Sequence, residues 1–426
     1  MDTINDFVFE NTTKIYFGKD QLENLPKEIK KYGTKVMLTY GGGSVKRIGL
    51  FDKVKNVLES NGVAVFEFGG IEPNPKHTTV NKGIKYAKEN GIEVLLAVGG
   101  GSTIDATKAM AAGFYYEGDV WDLVCQKSPV TKALPIFTIL TLAATGSEMD
   151  CGGVISNMET NEKLGLVHPV LQPKVSFLNP ENTFTVSAYQ TASGSADIIA
   201  HIIDICYFTK SPKMEMLDMV MEAVLKTVVR YAPIAIKEPD NYDARANLMW
   251  AASWALNGFL IAGRSQVPTN HMIEHELSAF YDITHGHGLA ILMPRWLEYI
   301  LDDTTNSDIK KFGVNVFGLD KNASAKDAIE AFKKYLFEDL GLKPTLTDLN
   351  IDKTHFKEMA KHCCFGEVMH GYRDLTPSDI EKIMASGRIN KDYLKSLYKD
   401  KVNGIITINQ FEDLLTDFNK DEDKCN

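Results

Sequence analysis

The sequence predicts two domains: an α/β domain with a parallel sheet over residues 1–185, and an all-helical domain over residues 186–426. Three observations support this fold class. Short β-branched runs alternate with segments of helical periodicity in the first half, glycine-rich loops follow two of these runs, and the runs stop after about residue 185. A chain of 426 residues can bury a core in each domain.

Five apolar runs in the first half predict strands that are buried on both faces. Between them, segments 49–62 and 77–91 have apolar residues at helical spacing and close on Asn-Gly, a common helix stop. This alternation indicates a parallel sheet with helices on both sides. The predicted strands are KVMLTY (35–40), VAVFEF (63–68), EVLLAV (93–98), PIFTILTL (135–142) and KVSFLNP (174–180).

From residue 187 onward nearly every segment has helical periodicity, which predicts a helical bundle and a cleft between the two domains. The net charge of −10 disfavours nucleic acid and anionic membrane surfaces as partners. The N-terminus lacks a signal-peptide pattern, and the six cysteines form no CxxC pair. These features predict a cytoplasmic protein with reduced thiols.

Two glycine loops at strand ends are candidate nucleotide sites: Gly99, Gly100, Gly101 and Ser102, and then Gly41, Gly42, Gly43 and Ser44. Glycine lets a backbone approach a ligand closely, and the start of the following helix offers free N–H groups to a pyrophosphate. Neither loop has the GxGxxG or GxxxxGK[ST] spacing, and a single loop of this kind is as often a plain turn. Two at successive strand ends favour a dinucleotide site. Asp105, in the helix after the first loop, and Thr141, Thr145 and Ser147, after a third strand, join these candidates.

Charges near the second loop favour NADP(H) over NAD(H). An NAD site usually places a carboxylate near the ribose 2′-hydroxyl, yet no Asp or Glu occurs from Val36 to Leu50. Lys46 and Arg47 lie just downstream and suit a 2′-phosphate. Two lysine or arginine side chains that are simply solvated would give the same pattern.

A candidate metal site comes from two pairs of residues at i, i+4 spacing. Asp197 and His201 project from one helical face, as do His271 and His275. One carboxylate and several imidazoles on neighbouring helices suit Zn²⁺ or Fe²⁺. A lone helical histidine is more often a core or surface residue, and HMIEH is not the HExxH protease motif. Spacing alone does not choose between His285 and His287 as a further ligand.

These motifs together resemble the iron-containing (group III) alcohol dehydrogenase family, and within it the NADPH-dependent butanol dehydrogenase and aldehyde reductase branch. The resemblance covers most of the chain. It rests on KIYFGKDQLENLP, TYGGGSVKRIG, GGIEPNP, AVGGGSTIDATK, LTLAATGSE, DIIAHIID, HMIEHELSAFYDITH, LAILMP and GLKPTLTDLNID.

The resemblance implies a Rossmann-like nucleotide domain followed by a helical metal domain, the dehydroquinate synthase-like architecture. It implies Asp197, His201, His271 and His285 as ligands to one divalent metal, Fe²⁺ or Zn²⁺, with His275 near the nicotinamide. The cofactor contacts that it implies are Gly99 to Ser102, Thr141, Gly42, Ser44, Asn74, Lys163 and Asn182. Asn182 departs from the larger apolar or aromatic residue usual at its position, which puts its contact in doubt.

The implied activity is reversible hydride transfer between NADP(H) and a small primary alcohol or aldehyde, such as butanol and butanal, in a homodimer. We expect His275 to relay the substrate proton. Asp204 is predicted either to orient His201 or to lie on the surface. The alternatives are a glycerol or other polyol dehydrogenase of the same fold, and a metal-dependent hydrolase or lyase that binds a nucleotide without redox chemistry.

Overall fold

The structure is a computed structural model that describes residues 4–212, 214–265 and 267–388. Residues 389–426, the last part of the predicted helical domain, therefore lie outside the described residues. The strands are β1 Lys14–Phe17, β2 Lys35–Thr39, β3 Ala64–Phe68, β4 Val94–Gly99, β5 Ile136–Leu140, β6 Gly152–Asn157, β7 Glu162–Val167, β8 Val175–Leu178, β9 Met369–His370 and β10 Asp374–Leu375.

Six strands form a parallel sheet in the order β1-β8-β5-β4-β2-β3. The predicted parallel sheet is confirmed, and each of the five predicted strands is present within a few residues of its expected bounds. The prediction that all five are buried on both faces is wrong for β3, which lies at the sheet edge and has no buried residue. Strands β4 and β5 are buried along their whole length, because helices cover both faces. The edge strand β1 and the antiparallel hairpin β6–β7 were not predicted.

The chain after the sheet is helical, as predicted, apart from the two-residue strands β9 and β10. Its apolar core is continuous from α7 through α15. The helices are α1 Leu25–Ile29, α2 Ser44–Arg47, α3 Leu50–Glu59, α4 His77–Asn90, α5 Gly101–Gly113, α6 Val120–Val124, α7 Ala188–Ile202, α8 Glu215–Lys237, α9 Tyr242–Ala255, α10 Thr269–Tyr281, α11 His285–Ile300, α12 Asn306–Phe317, α13 Ala325–Lys334, α14 Phe356–Cys363 and α15 Pro377–Gly387.

The boundaries of α7, α10 and α11 follow from local features of the sequence. Helix α7 begins at an N-cap in which Ser187 accepts a hydrogen bond from the backbone of Gln190, and its end passes into a π-helical turn, Ile203–Tyr207. Helix α10 ends at Asp282 in the left-handed conformation, and α11 begins three residues later. No helix in the described ranges combines the length and apolarity needed to cross a bilayer.

Candidate functional site

Four predicted metal ligands meet around one carboxylate oxygen, Asp197 Oδ1. Nε2 of His285 lies 3.6 Å from that oxygen, Nε2 of His201 lies 3.7 Å from it, and Nε2 of His271 lies 3.9 Å from it. Tetrahedral coordination at bond lengths of about 2.1 Å separates ligand atoms by about 3.4 Å. Each of the three Nε2 atoms therefore lies within about 0.5 Å of the spacing from Asp197 Oδ1 that a shared ion requires.

Two of the four donor atoms are buried without a hydrogen-bond partner, as expected of atoms that bind a metal. Asp197 Oδ1 and His271 Nε2 are fully buried and accept or donate no hydrogen bond among the described residues. Burial raises the pKa of Asp197 and lowers the pKa of His201 and His285 well below the usual range, so the imidazoles are held neutral. Neutral imidazoles and one carboxylate are the donor set that Fe²⁺ and Zn²⁺ bind.

Two further carboxylates contact the Nδ1 atoms of two candidate ligands, and the sequence did not predict either contact. Asp204, in the π-helical turn, accepts a hydrogen bond from Nδ1 of His271 at 2.9 Å. Both predictions for Asp204 are wrong: the residue is buried, so it does not lie on the surface, and the turn directs it toward the start of α10 and not toward His201. Glu274 contacts Nδ1 of His285 in the same way. In each pair the carboxylate favours the tautomer in which Nε2 faces Asp197.

The two histidines that spacing left ambiguous have different surroundings. His287 is buried away from the cluster, where Nδ1 lies 3.0 Å from the Tyr189 hydroxyl and Nε2 lies 2.9 Å from the Lys343 carbonyl. Its ring is therefore satisfied by protein groups, whereas His285 faces Asp197.

His275 lies beside the cluster, with its ring 5.4 Å from that of His285 and 6.5 Å from that of His271 between centroids. Burial lowers the pKa of His275 well below the usual range. At neutral pH its imidazole is therefore uncharged and can accept a proton.

The three predicted nucleotide loops lie together at the carboxyl ends of β2, β4 and β5. The Thr141 amide donates to the Gly99 carbonyl at 3.0 Å, and an added Cβ on Gly101 would lie 2.5 Å from Thr145. An added Cβ on Gly41 would lie 3.2 Å from the Ile71 carbonyl. Glycine is required at Gly101 because the loops approach this closely. Edges of this kind are where open parallel sheets bind ligands.

Two of the candidate cofactor contacts, Asp105 and Asn182, have their polar groups engaged within the sheet domain. Asp105 accepts from the Ser147 hydroxyl at 2.6 Å and from the Val154 amide at 2.9 Å, so both its oxygens are used. Burial raises its pKa to about 6. Asn182 donates to the Leu140 carbonyl at 3.4 Å.

Two other candidates, Asn74 and Lys163, reach the helical half instead. The Asn74 amide donates to Asp282 at 2.9 Å and to the Ile283 carbonyl at 3.2 Å. Lys163, on β7, places Nζ 3.4 Å from His285 Nδ1 and 3.6 Å from Glu274. Lys163 is therefore on the side of the cleft that holds the histidines.

Helix α7 connects the nucleotide loops to the metal candidates. An added Cβ on Gly194 would lie 2.7 Å from the carbonyl of Ala143, in the loop after β5. One turn further along α7 is Asp197, and an added Cβ on Gly286 would lie 2.0 Å from the Ser193 carbonyl. Because Gly194 and Asp197 are three residues apart, they share one face of α7, so the loop after β5 and the Asp–His cluster lie beside each other along that face.

Two family models cover most of the chain. Residues 12–180 match the model described as iron-containing alcohol dehydrogenase, and residues 191–387 match the C-terminal model of the Fe-containing alcohol dehydrogenase family. The chain belongs to the iron-containing alcohol dehydrogenase family. The predicted family is thereby confirmed, and with it an oxidoreductase that uses a nicotinamide dinucleotide and a divalent metal.

Relatives within the iron-containing alcohol dehydrogenases include both cofactor types by name. NADH-dependent butanol dehydrogenase B of Clostridium acetobutylicum is 49% identical over 84% of this chain and 92% of its own length. NADPH-dependent aldehyde reductase YqhD of Escherichia coli is 37% identical over the same shares of the two chains. The crystal structure of NADH-dependent butanol dehydrogenase A from Thermotoga maritima has a TM-score of 0.86 at 36% identity, covering 91% of this chain and 100% of that one.

Proposed function

We propose that this chain transfers hydride reversibly between a nicotinamide dinucleotide and a small primary alcohol or aldehyde, such as butanol and butanal. The observation that carries the proposal is that one face of α7 contacts the loop after β5 at Gly194 and carries Asp197 of the Asp–His cluster three residues later. A cofactor on the loops and a substrate oxygen at the cluster would then lie side by side, as hydride transfer requires.

The proposed metal ligands are Asp197, His201, His271 and His285. A divalent ion held by them would supply a Lewis acid for the substrate oxygen. Asp204 and Glu274 keep His271 and His285 in the tautomers that direct Nε2 inward. His275, beside the cluster, is the proposed group that takes the proton of the alcohol and passes it toward solvent.

The proposed nucleotide contacts are the three loops, Gly41 to Ser44, Gly99 to Ser102 and Thr141 to Thr145. The start of α5 offers backbone N–H groups to a pyrophosphate directly after Gly100. Lys163 meets the cofactor from the histidine side of the cleft.

For the cofactor we propose NADP(H), because Arg47 lies over the second loop and no carboxylate occurs from Val36 to Leu50. NAD(H) is the second candidate. Specific observations favour it: the Glu67 carboxylate contacts Lys46, and relatives at 47–49% identity are named as NADH-dependent.

The test measures oxidation of NADPH and NADH with butanal, before and after chelator treatment and after Fe²⁺ or Zn²⁺ is added back. We expect activity that is lost on chelation and restored by one ion. Metal-loaded protein that oxidises neither cofactor would contradict the proposal and favour a hydrolase or lyase.

We also propose a homodimer. Strand β1 is a sheet edge, and its Phe17 packs against Trp250 with both rings partly exposed. A sheet edge has unpaired N–H and C=O groups that can pair with a second chain, and exposed apolar rings beside it mark an interaction surface. Light scattering after size-exclusion chromatography should give twice the mass of one chain.

A further inference from the structure

Lys46 is engaged by a group that lies well outside its own loop. Its ammonium contacts the carboxylate of Glu67 on β3, and the same carboxylate accepts a hydrogen bond from the Tyr40 hydroxyl. The ammonium also lies 4.6 Å from the ring centre of Phe51 and 5.1 Å from that of Tyr40. One anion and two aromatic faces therefore fix the position of the Lys46 head group.

Backbone hydrogen bonds connect the end of β3 to the glycine loop that contains Gly41 to Ser44, so Glu67 lies close to that loop. The Gly70 amide donates to the Gly41 carbonyl at 3.2 Å, and the Ile71 amide donates to the Tyr40 carbonyl at 3.2 Å. From the loop side, the Lys46 amide donates to the Gly43 carbonyl at 3.2 Å. Short backbone connections thus join both partners of the ion pair to the loop.

Arg47 differs from Lys46. Its guanidinium folds back to 4.0 Å from the position of an added Cβ on Gly43, and it forms no ion pair with any residue in the described part of the chain. Of the two cations beside the loop, only Arg47 is available to an anion without the loss of an existing contact.

We infer that Glu67 limits the preference for a 2′-phosphorylated cofactor by engaging the Lys46 ammonium in an ion pair. This inference rests on the proposed nucleotide site. Glu67 is then a specificity-determining residue that acts through Lys46. It lies outside Val36 to Leu50, the segment in which a carboxylate is sought from the sequence. The contact leaves NADP(H) recognition to Arg47 alone, so that NAD(H) competes more effectively.

The test uses two small probes, 2′,5′-ADP and 5′-AMP, which differ only in the 2′-phosphate. Their dissociation constants are measured by calorimetry on the full chain, so that the readout needs neither metal nor turnover. We expect Glu67→Gln to tighten 2′,5′-ADP by about fivefold, the effect of one exposed ion pair, and to leave 5′-AMP within about twofold. Arg47→Met should weaken 2′,5′-ADP in the wild-type background.

A double-mutant cycle with Lys46→Met decides whether Glu67 acts through Lys46. Glu67→Gln should no longer tighten the binding of 2′,5′-ADP when Lys46 is replaced by Met. Glu59→Gln is the matched control, because Glu59 also pairs with a lysine, Lys55, at 3.9 Å on an exposed helix.

Two outcomes would overturn the inference while leaving the nucleotide site intact. One is an unchanged ratio of the two probes in Glu67→Gln. The other is an equal gain with and without Lys46, which would mean that Glu67 repels the phosphate directly. Binding of neither probe by the wild-type chain would instead remove the proposed nucleotide site, and the inference with it.

Discussion

Asp204 and His271 are joined twice: the carboxylate accepts one hydrogen bond from the ring Nδ1 and another from the backbone N–H, each at 2.9 Å. The first fixes the tautomer of the imidazole, and the second fixes the start of the helix that carries it. The backbone N–H of Asn270 donates a further hydrogen bond to the same carboxylate at 2.9 Å. One side chain therefore sets both the rotation and the position of a proposed metal ligand.

The first prediction follows from this pair. Asp204→Asn replaces an anion by an amide and weakens the hold on Nδ1–H, so we expect metal affinity to fall about 10- to 100-fold. Competition with a coloured chelator measures the affinity directly. Asp240→Asn, at an exposed position, is the control. Equal affinities in the two variants would contradict the orienting role of Asp204.

The second prediction separates His285 from His287. His285→Ala removes one of four proposed ligands, and we expect the purified protein to contain little metal and to show no turnover. His287→Ala should retain its metal, because that ring bonds Tyr189 and Lys343 instead. We expect it to lose about 1–3 kcal/mol of unfolding free energy, because two partly buried hydrogen bonds of the ring are lost and each contributes about 0.5–1.5 kcal/mol. Metal analysis and urea denaturation of both variants test this, and metal loss in both would refute it.

The third prediction concerns proton transfer. His275→Ala should keep its metal and lose about 100-fold or more in kcat, since a positioned acid or base commonly contributes that much. Metal content and the pH dependence of kcat are the measurements, and His355→Ala, at an exposed histidine, is the control. Normal kinetics over the whole pH range would remove His275 from the mechanism.

Four of the five strands that the sequence predicted are largely buried, because an unbroken apolar run is a strong signal; the fifth, β3, has such a run although it lies at the sheet edge. Strand β1 was missed since KIYF is short and at the sheet edge, where its burial alternates little. The hairpin β6–β7 was missed since its strands contain three glycines and a lysine, Lys163, among the apolar residues. Neither segment has the periodicity from which strands are inferred.

The site was predictable where residues close in sequence share a helix face, as with Asp197 and His201. It was not predictable where the contact joins distant elements. Glu67 reaches Lys46 only because β3 pairs with β2, and Glu274 reaches His285 only because α10 and α11 turn back on each other. A search for carboxylates limited to residues 36–50 could not find such a partner.

The fourth prediction tests the close contact between Gly101 and the loop after β5. Gly101→Ala places a methyl group 2.5 Å from Thr145, and either the loop after β5 or the start of α5 must shift. We expect the KM for the dinucleotide to rise about tenfold, within the usual cost of overpacking. In Gly165→Ala, the control, the new methyl meets nothing within 4 Å. Fluorescence titration with reduced cofactor gives the affinity, and equal values for the two variants would mean that the loops tolerate the shift.

The last prediction concerns acid stability at the sheet edge. Glu28 is buried on α1, and its carboxylate accepts from Lys14 at 2.7 Å and Tyr16 at 2.8 Å on β1, and from Lys31 at 2.5 Å. Burial alone would raise the pKa of Glu28, yet these three hydrogen bonds lower it to about 2 from an ordinary 4.5. A lowered folded-state pKa stabilises the fold above the unfolded value of 4.5, and that stabilisation disappears as the pH falls from 4.5 to about 2.

Glu28→Gln should therefore reduce the unfolding free energy by about 1–2 kcal/mol at pH 7, after allowance for solvent screening of the half-exposed lysines. The difference from the wild-type chain should shrink steadily between pH 4.5 and about 2, because the unfolded chain takes up a proton at Glu28 below pH 4.5 whereas the folded chain does so only near pH 2. Urea denaturation at several pH values measures it, with Glu23→Gln, at an exposed position on the preceding turn, as the control. A difference that stays constant from neutral to acid pH would mean that Glu28 stabilises β1 by shape and not by charge.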